Sequence, residues 1–226
     1  RYVIYFDTEQ SRYHAQRTVK RVCKLIGVYH PDNFIAYGLR KYNAVERIKM
    51  IEAALYTTKN VGFAVIDGAR DIVTSINNED QASDVTSLLL KWTEELNIHI
   101  IVVLHENKND KNPRGHLGTE LTNKAETVLS VSKNETDDNI SIVQAEYCRD
   151  RDPEPFAFEI NDEGLPQIAE NFEIRTNKKI TPGSIPPHTH NTVLRAIFGN
   201  NKQLGHKEFI ASLKFEFEQL GQAIGD

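Results

Sequence analysis

Cysteine is scarce in this chain of 226 residues, which has only Cys23 and Cys148. The two lie far apart in sequence and belong to no Cys-x-x-Cys or Cys/His spacing, so the sequence has no recognisable zinc-binding motif. A disulfide between them is one alternative, but two buried thiols are the expected state of an intracellular chain.

Long apolar runs and a secretory signal segment are also missing. No run approaches the roughly 20 residues that cross a bilayer, so we expect a cytoplasmic protein with no membrane partner. The net charge of −5 argues against nonspecific coating of nucleic acid, although local basic patches are compatible with it. The length allows one large domain, or one domain with a small appendage.

The first 133 residues have the pattern of an α/β protein. Apolar runs rich in β-branched residues predict strands covered on both faces. Segments of helical periodicity alternate with them, which predicts right-handed crossovers and a mostly parallel sheet flanked by helices. The predicted strands are 2–7, 33–37, 61–67, 98–104 and 126–132, and the predicted helices are 12–26, 43–57 and 80–96.

The pattern changes after residue 133. Two short alternating segments, 139–147 and 154–160, are joined by the charged turn 148–153. Such a pair is typical of a hairpin, so we expect an antiparallel C-terminal extension of the sheet.

The sequence pattern of the C-terminal part predicts a small helical appendage. Residues 175–187 are rich in Lys, Thr, Pro and Gly and are typical of a linker. Two helices, about 189–198 and 206–220, follow it and resemble part of a helix-turn-helix unit. The predicted organisation is a core of residues 1–174, the linker, and a helical region of residues 188–226.

Acidic residues stand at the ends of two predicted strands. Asp7 and Glu9 follow strand 2–7, and Asp67 ends strand 61–67. Open parallel sheets place ligands at the carboxyl ends of their strands. Two such clusters could hold Mg²⁺, directly or through water, and polarise an attacking water. The alternative is that each acid caps the next helix or stays solvated.

A long polar segment, 105–121, follows strand 98–104. Its length, glycines and basic residues are typical of a mobile functional loop, and the alternative is a surface excursion without function. His105 leaves the strand that follows the one ending in Asp67, so it could contact the same ligand.

The order of these features resembles the RecA-like P-loop ATPases, among them the RepA-type and DnaB-type hexameric helicase and mobilisation ATPases of plasmids and mobilizable transposons. The resemblance covers roughly residues 2–160. Three segments carry it: Tyr5-Phe6-Asp7-Thr8-Glu9, Phe63-Ala64-Val65-Ile66-Asp67 and Val103-Leu104-His105-Glu106-Asn107-Lys108.

The resemblance implies ATP and Mg²⁺ as cofactors and a role for each of these segments. Glu9 would orient the attacking water, and Asp67 would hold Mg²⁺ through water. His105 would sense the γ-phosphate, with Lys108 and Asp7 also on the nucleotide-binding side.

The resemblance also implies single-stranded DNA as a partner. The segment Arg114-Gly115-His116-Leu117-Gly118-Thr119-Glu120-Leu121 resembles the loop that faces DNA in the channel of such rings. The implied DNA-binding residues are Lys108, Lys111, Arg114 and His116.

A homo-oligomer, hexameric or otherwise, follows from the same resemblance. Arg149 and Arg151 match a pair of basic residues that reach the nucleotide of the neighbouring subunit, where a guanidinium neutralises charge developing on the γ-phosphate. The alternative is that both arginines pair with Asp150, Asp152 or Glu154 in an exposed turn.

A phosphate-binding loop of the form G-x-x-x-x-G-K-[ST] is absent, and Gly-Lys occurs nowhere in the sequence. In the family this loop precedes the strand that here is 2–7, so we expect a chain lacking its N-terminal part and inactive in isolation. The resemblance implies that a strand is missing between those leading to Asp67 and to His105, and that the exposed sheet edges and apolar surface are covered by self-association or by local rearrangement.

Two other functions remain open. Phe6-Asp7-Thr8-Glu9 also resembles the first motif of the DEDD-type 3′–5′ exonucleases, with His105 and Asp110 in the spacing of their last motif and Asp67 as a middle acid. The predicted helix directly after Glu9 favours the ATPase over this rival. A third alternative is a RecA-like module that binds DNA or a partner without nucleotide.

Overall fold

The computed structural model describes residues 1–106, 115–134, 136–169, 185–199 and 203–220. The chain divides into two compact units, Arg1–Phe172 and Glu173–Asp226. The predicted linker lies outside the described residues except for its last three positions.

The first unit contains a four-stranded parallel sheet in the order β2-β1-β3-β4. Helices connect its strands in sequence, so the predicted α/β class is confirmed. The strands are β1 (Tyr2–Asp7), β2 (Phe34–Gly38), β3 (Val61–Asp67) and β4 (His99–Val103). The helices are α1 (Arg12–Leu25), α2 (Ala44–Thr57), α3 (Glu79–Leu96) and α4 (Gly115–Lys124).

Side-chain caps set the start of two helices. At α2, Asn43 Oδ1 accepts from the Glu46 backbone N–H at 3.0 Å, and Glu46 Oε2 accepts from the Asn43 N–H at 2.9 Å. At α3, Asn78 Oδ1 accepts from the Gln81 N–H at 2.8 Å. These bonds satisfy donors that a helix leaves free in its first turn.

The main core lies on one face of the parallel sheet. Ile4 and Phe6 of β1 and Ala64 and Ile66 of β3 are fully buried there. Helices α2 and α3 both pack on this face, and they contribute Ile51, Leu55, Leu89 and Trp92.

The opposite face is only partly covered, which differs from the prediction of strands buried on both faces. Along β4, His99, Ile101 and Val103 are exposed while Ile100 and Val102 are half-buried. Because α2 and α3 share one face, α1 is the helix among those described that lies on the other, over β1 and β2.

Strands β3 and β4 are hydrogen-bonded neighbours, with Phe63 opposite His99 and Asp67 opposite Val103. In the described part of the chain, no gap is therefore left between them for the strand that the family order places there. Among the described residues, β4 is instead an edge strand of the sheet.

A separate antiparallel sheet follows, in the order β5-β6-β7-β8. The predicted hairpin is present, but it pairs with β5 and not with the parallel sheet. Strands β5 and β6 are joined by residues 134–139 alone. This connection is too short for a parallel pair, which needs a crossover of a dozen or more residues, so the two strands are antiparallel. The strands are β5 (Thr127–Lys133), β6 (Ile140–Cys148), β7 (Phe156–Ile160) and β8 (Pro166–Ile168).

The second unit contains two helices, α5 (Pro187–Phe198) and α6 (His206–Gln219), close to their predicted bounds. They pack through a small apolar cluster of Ile185, Val193, Ile197 and Phe217. Proline suits the first position of α5 because that position needs no N–H donor.

Both cysteines are free thiols; Cys23 is buried and Cys148 is half-buried. In the part of the chain that the structure describes, no helix is both long enough and apolar enough to cross a membrane.

Candidate active site at the carboxyl edge of the parallel sheet

The strand register brings the predicted acidic residues to one edge of the sheet. Asp7 lies opposite Asp67 across β1 and β3, and Asp67 lies opposite Val103 of β4. Glu9 lies two residues after Asp7, and His105 lies two residues after Val103. Three neighbouring strands therefore deliver their polar side chains to the same place.

Asp7 shapes the turn that carries Glu9. The residue is 1% exposed, and Oδ1 accepts from the backbone N–H groups of Glu9 at 3.1 Å and Gln10 at 2.8 Å. Its Oδ2 is buried with no hydrogen-bond partner among the described residues. A buried carboxylate oxygen without a donor is costly, so this atom is suited to a donor or cation brought by a ligand.

Thr8 joins the two acidic turns. Its buried hydroxyl lies 2.9 Å from the carbonyl oxygen of Asp67 and 2.8 Å from that of Gly68, and its N–H donates to Asp67 O at 3.0 Å. Gly68 has φ 98°, a conformation that favours glycine. A Cβ at this position would collide with Thr8 and Glu9, so the turn after β3 needs glycine.

Tyr5 holds the Asp67 carboxylate. Its hydroxyl donates to Asp67 Oδ2 at 2.6 Å. Burial, followed by the hydrogen bond and the negative charge of Asp67, raises the pKa of Tyr5 well above its usual value. The phenol therefore stays protonated, and it orients the carboxylate at neutral pH.

Glu9 and His105 meet at the open side of the site. His105 Nε2 lies 3.5 Å from Glu9 Oε2, and the side chains are 77% and 38% exposed, respectively. An exposed pair of this kind contributes little to stability. Its position leaves both groups accessible to water and to a ligand.

The carboxylates fit Mg²⁺ held mostly by water and phosphate oxygens. Mg²⁺ usually keeps several waters and takes one or two protein carboxylates, and Asp67 and the free Oδ2 of Asp7 are of that type. Within the described residues, no group of three or more His, Cys, Asp or Glu side chains could hold a metal ion by itself. For the phosphates of ATP, the chain offers no glycine-rich loop with a lysine.

The predicted DNA-binding residues Lys108, Lys111 and Arg114 lie outside the described residues, as does Asp110. His116 is exposed in the first turn of α4. The end of the predicted loop 105–121 is thus helical, because buried Leu117 anchors it to the main core.

Arg149 and Arg151 follow β6 of the second sheet, not the carboxyl edge of the first. The Arg149 guanidinium donates to the carbonyl oxygens of Ala125 at 3.3 Å and Asn123 at 3.5 Å. In the part of the chain that is described, neither arginine forms an ion pair with Asp150, Asp152 or Glu154, and Arg151 is exposed. The alternative of salt bridges within the turn is therefore wrong.

Sequence reasoning missed the supporting residues Tyr5, Thr8 and Gly68. A glycine directly after the aspartate of β3 was a usable signal, because a turn there requires positive φ. The Tyr5 contact gave no local signal, since it joins residues 62 positions apart.

Comparisons with known proteins assign no family. No protein-family model matches the chain, and no curated protein matches it.

Proposed function

We propose that this chain carries the hydrolytic carboxylates of a DNA-associated, RecA-like ATPase, a helicase or a mobilisation or replication motor of a mobile element. One observation carries the proposal: Asp7, Glu9, Asp67 and His105 meet at the carboxyl edge of three adjacent parallel strands. Catalysis of phosphoryl transfer is mostly positioning and charge stabilisation, and this edge offers both.

In this proposal Glu9 orients the attacking water and accepts its proton, because its carboxylate is accessible and not engaged in the turn. His105 approaches Glu9 from β4 and would contact the transferred phosphate. Asp67, oriented by Tyr5, would hold Mg²⁺ through water, and Asp7 would assist through its free oxygen. Mg²⁺, when bound, would neutralise charge on the phosphates.

In this proposal the phosphate cradle is supplied by another polypeptide segment, because no segment of this sequence has the form of a P-loop. Because β3 and β4 pair directly, this segment would not join between them as the family order implies; in this proposal it joins at the outer edge of β4. Its outer edge is unpaired among the described residues, and Ile101 and Val103 are exposed on its open face. A further strand and helix would cover both.

Hydrolysis between subunits is part of the same proposal. Arg151 is exposed, so its guanidinium is available to a neighbouring subunit. Arg149 is tied to the end of α4, which would keep the turn in a defined position. Single-stranded DNA would contact the segment with Lys108, Lys111, Arg114 and His116.

The test is the substitution Glu9→Gln in the full-length protein. We expect Mg²⁺-dependent, DNA-stimulated ATP hydrolysis to fall by about 10²–10⁴-fold while nucleotide binding is retained, because only the base is lost. Glu106→Gln is the matched control, an exposed glutamate that follows β4, and should leave turnover unchanged. Retained turnover in Glu9→Gln would contradict the assigned role.

The exonuclease alternative is less consistent with the chain. After Glu9 comes α1, and the next strand is parallel to β1, whereas those exonucleases continue with antiparallel strands. Metal-dependent degradation of single-stranded DNA without ATP would favour the exonuclease over our proposal.

A further inference from the structure

A wide cleft separates α1 from the sheet face formed by β1 and β2. Its volume is about 1360 Å³, and Tyr5 and Ala36 of the sheet and Val19 and Cys23 of α1 line it. Pockets for small ligands usually measure about 300–1,000 Å³. This volume is better suited to a segment of a polymer than to a single small molecule. We call it the α1 cleft.

Positive charge lines the α1 cleft from two sides. Residues 11–31 include five Lys and Arg residues and no Asp or Glu, although the whole chain has net charge −5. Arg12 and Lys20 line the cleft from α1, and Arg40 lines it from the segment after β2. No described carboxylate lies within ion-pair distance of these three side chains, whereas Lys24 pairs with Glu163 at 2.9 Å. The cations are thus available to an anionic ligand.

An exposed aromatic ring accompanies these cations. Tyr29 lines the cleft and is 78% exposed, and His30 lies beside it. The one acid in the lining is Asp7, which is buried; its Oδ1 accepts from two backbone N–H groups, and its Oδ2 has no hydrogen-bond partner among the described residues.

Sites for single-stranded nucleic acid combine cationic side chains with exposed aromatic rings. The cations contact the phosphates of the nucleic acid, and the bases stack on the rings. We propose that the α1 cleft binds single-stranded nucleic acid, with Arg12, Lys20 and Arg40 on the phosphates and Tyr29 under a base. An acidic peptide would use the cations but would leave Tyr29 without a role. Binding at this site requires neither ATP nor a metal ion, so it does not depend on the proposed hydrolysis.

The experiment measures binding of a short fluorescein-labelled oligothymidylate by anisotropy, without nucleotide or Mg²⁺. We expect Lys20→Ala and Arg40→Ala to weaken binding about threefold to tenfold at low salt. Each should also reduce the salt dependence, by a slope of about 0.7 for each lost phosphate contact on a single strand. Lys49→Ala and Lys59→Ala, exposed cations outside the cleft, are the matched controls and should bind as the parent protein does. Equal loss in all four variants would overturn the proposal.

A second set of binding measurements tests Tyr29. Tyr29→Ala should weaken binding about tenfold, because stacking of a base on an aromatic ring is lost, while Tyr29→Phe should keep parental affinity. Circular dichroism confirms that each variant is folded. Unchanged affinity in Tyr29→Ala, or displacement of the oligonucleotide by polyglutamate as effectively as by unlabelled oligothymidylate, would overturn the assignment to nucleic acid. Loss of ATP hydrolysis in Glu9→Gln does not affect either readout.

Discussion

At the scale of single residues, the candidate site depends on how its carboxylates are held. Asp7 is fixed by two backbone N–H groups, and Asp67 is fixed by the phenol of Tyr5. Glu9 has no such anchor and is the most accessible of the three acids that face this edge. This difference suits hydrolysis. The anchored Asp7 and Asp67 would keep their charges in place, while the accessible Glu9 would exchange a proton with water.

Replacing Tyr5 by Phe tests this anchoring. The change removes a donor to a charged, partly buried carboxylate, so we expect the free energy of unfolding to fall by about 1–3 kcal/mol. The measurement is urea denaturation followed by circular dichroism. Tyr2→Phe, on the same strand, is the control, because no side-chain hydrogen bond of Tyr2 is described. An equal effect of both substitutions would contradict the role of the hydroxyl.

The raised pKa of Tyr5 predicts that the free energy of unfolding depends on pH in the alkaline range. The pKa of Tyr5 is raised in the folded state by burial and by Asp67, so the unfolded chain loses this proton first. The stabilisation is complete below the unfolded pKa of about 10 and is lost as pH rises above it.

Denaturation curves across this alkaline range should therefore show a steeper loss of stability in the parent protein than in Tyr5→Phe. Tyr56, whose hydroxyl donates to Glu95 at the surface, has its pKa raised to about 12, chiefly by that hydrogen bond. Tyr56 is present in both the parent protein and Tyr5→Phe, so its titration contributes equally to the two pH profiles. Identical pH profiles would show that Tyr5 does not titrate in this way.

At the scale of elements, the turns after β1 and β3 form one unit. Thr8 bonds the carbonyl groups of Asp67 and Gly68, so any movement of the β3 turn also moves the turn that carries Glu9. Gly38, the final residue of β2, differs from Gly68, because a Cβ added there would meet no atom within 4 Å.

Gly68→Ala should disturb this unit. Its positive φ and the collision of a Cβ with Thr8 and Glu9 predict destabilisation of more than about 1 kcal/mol, together with displacement of Glu9 and reduced hydrolysis. Gly38→Ala is the control at the end of the neighbouring strand and should change neither. Thermal melting and turnover of the two variants give the comparison, and equal melting temperatures would contradict the packing argument.

At the scale of the whole molecule, the described residues of the first unit leave apolar surface uncovered. The edge strand β4 has Ile101 and Val103 exposed, and Phe63 stacks on His99 on the same open face. An unpaired edge with exposed apolar side chains is a template for association with another chain.

We therefore expect concentration-dependent self-association through β4. Ile101→Lys should raise the monomer fraction in sedimentation velocity, because a charge on the open face opposes strand pairing between copies. Val45→Lys, at another exposed apolar position, on α2, should not. A monomer fraction that responds to neither substitution would place any self-association elsewhere.

The sequence by itself determined the local parts of this protein. Runs of β-branched residues located β1 to β4, helical periodicity located α1 to α3, and the acids at strand ends indicated the candidate site. These features depend on neighbouring residues alone, so periodicity and turn chemistry are sufficient to find them.

Only the tertiary structure decided which elements meet. It assigned β5 to a separate antiparallel sheet, made β3 and β4 direct neighbours, left one face of β4 open, and joined Tyr5 to Asp67 and His105 to Glu9. The α1 cleft likewise depends on where a helix lies over two strands. Such contacts link residues tens of positions apart, and strand order and register set them, because no local pattern specifies which strand a given strand will pair with.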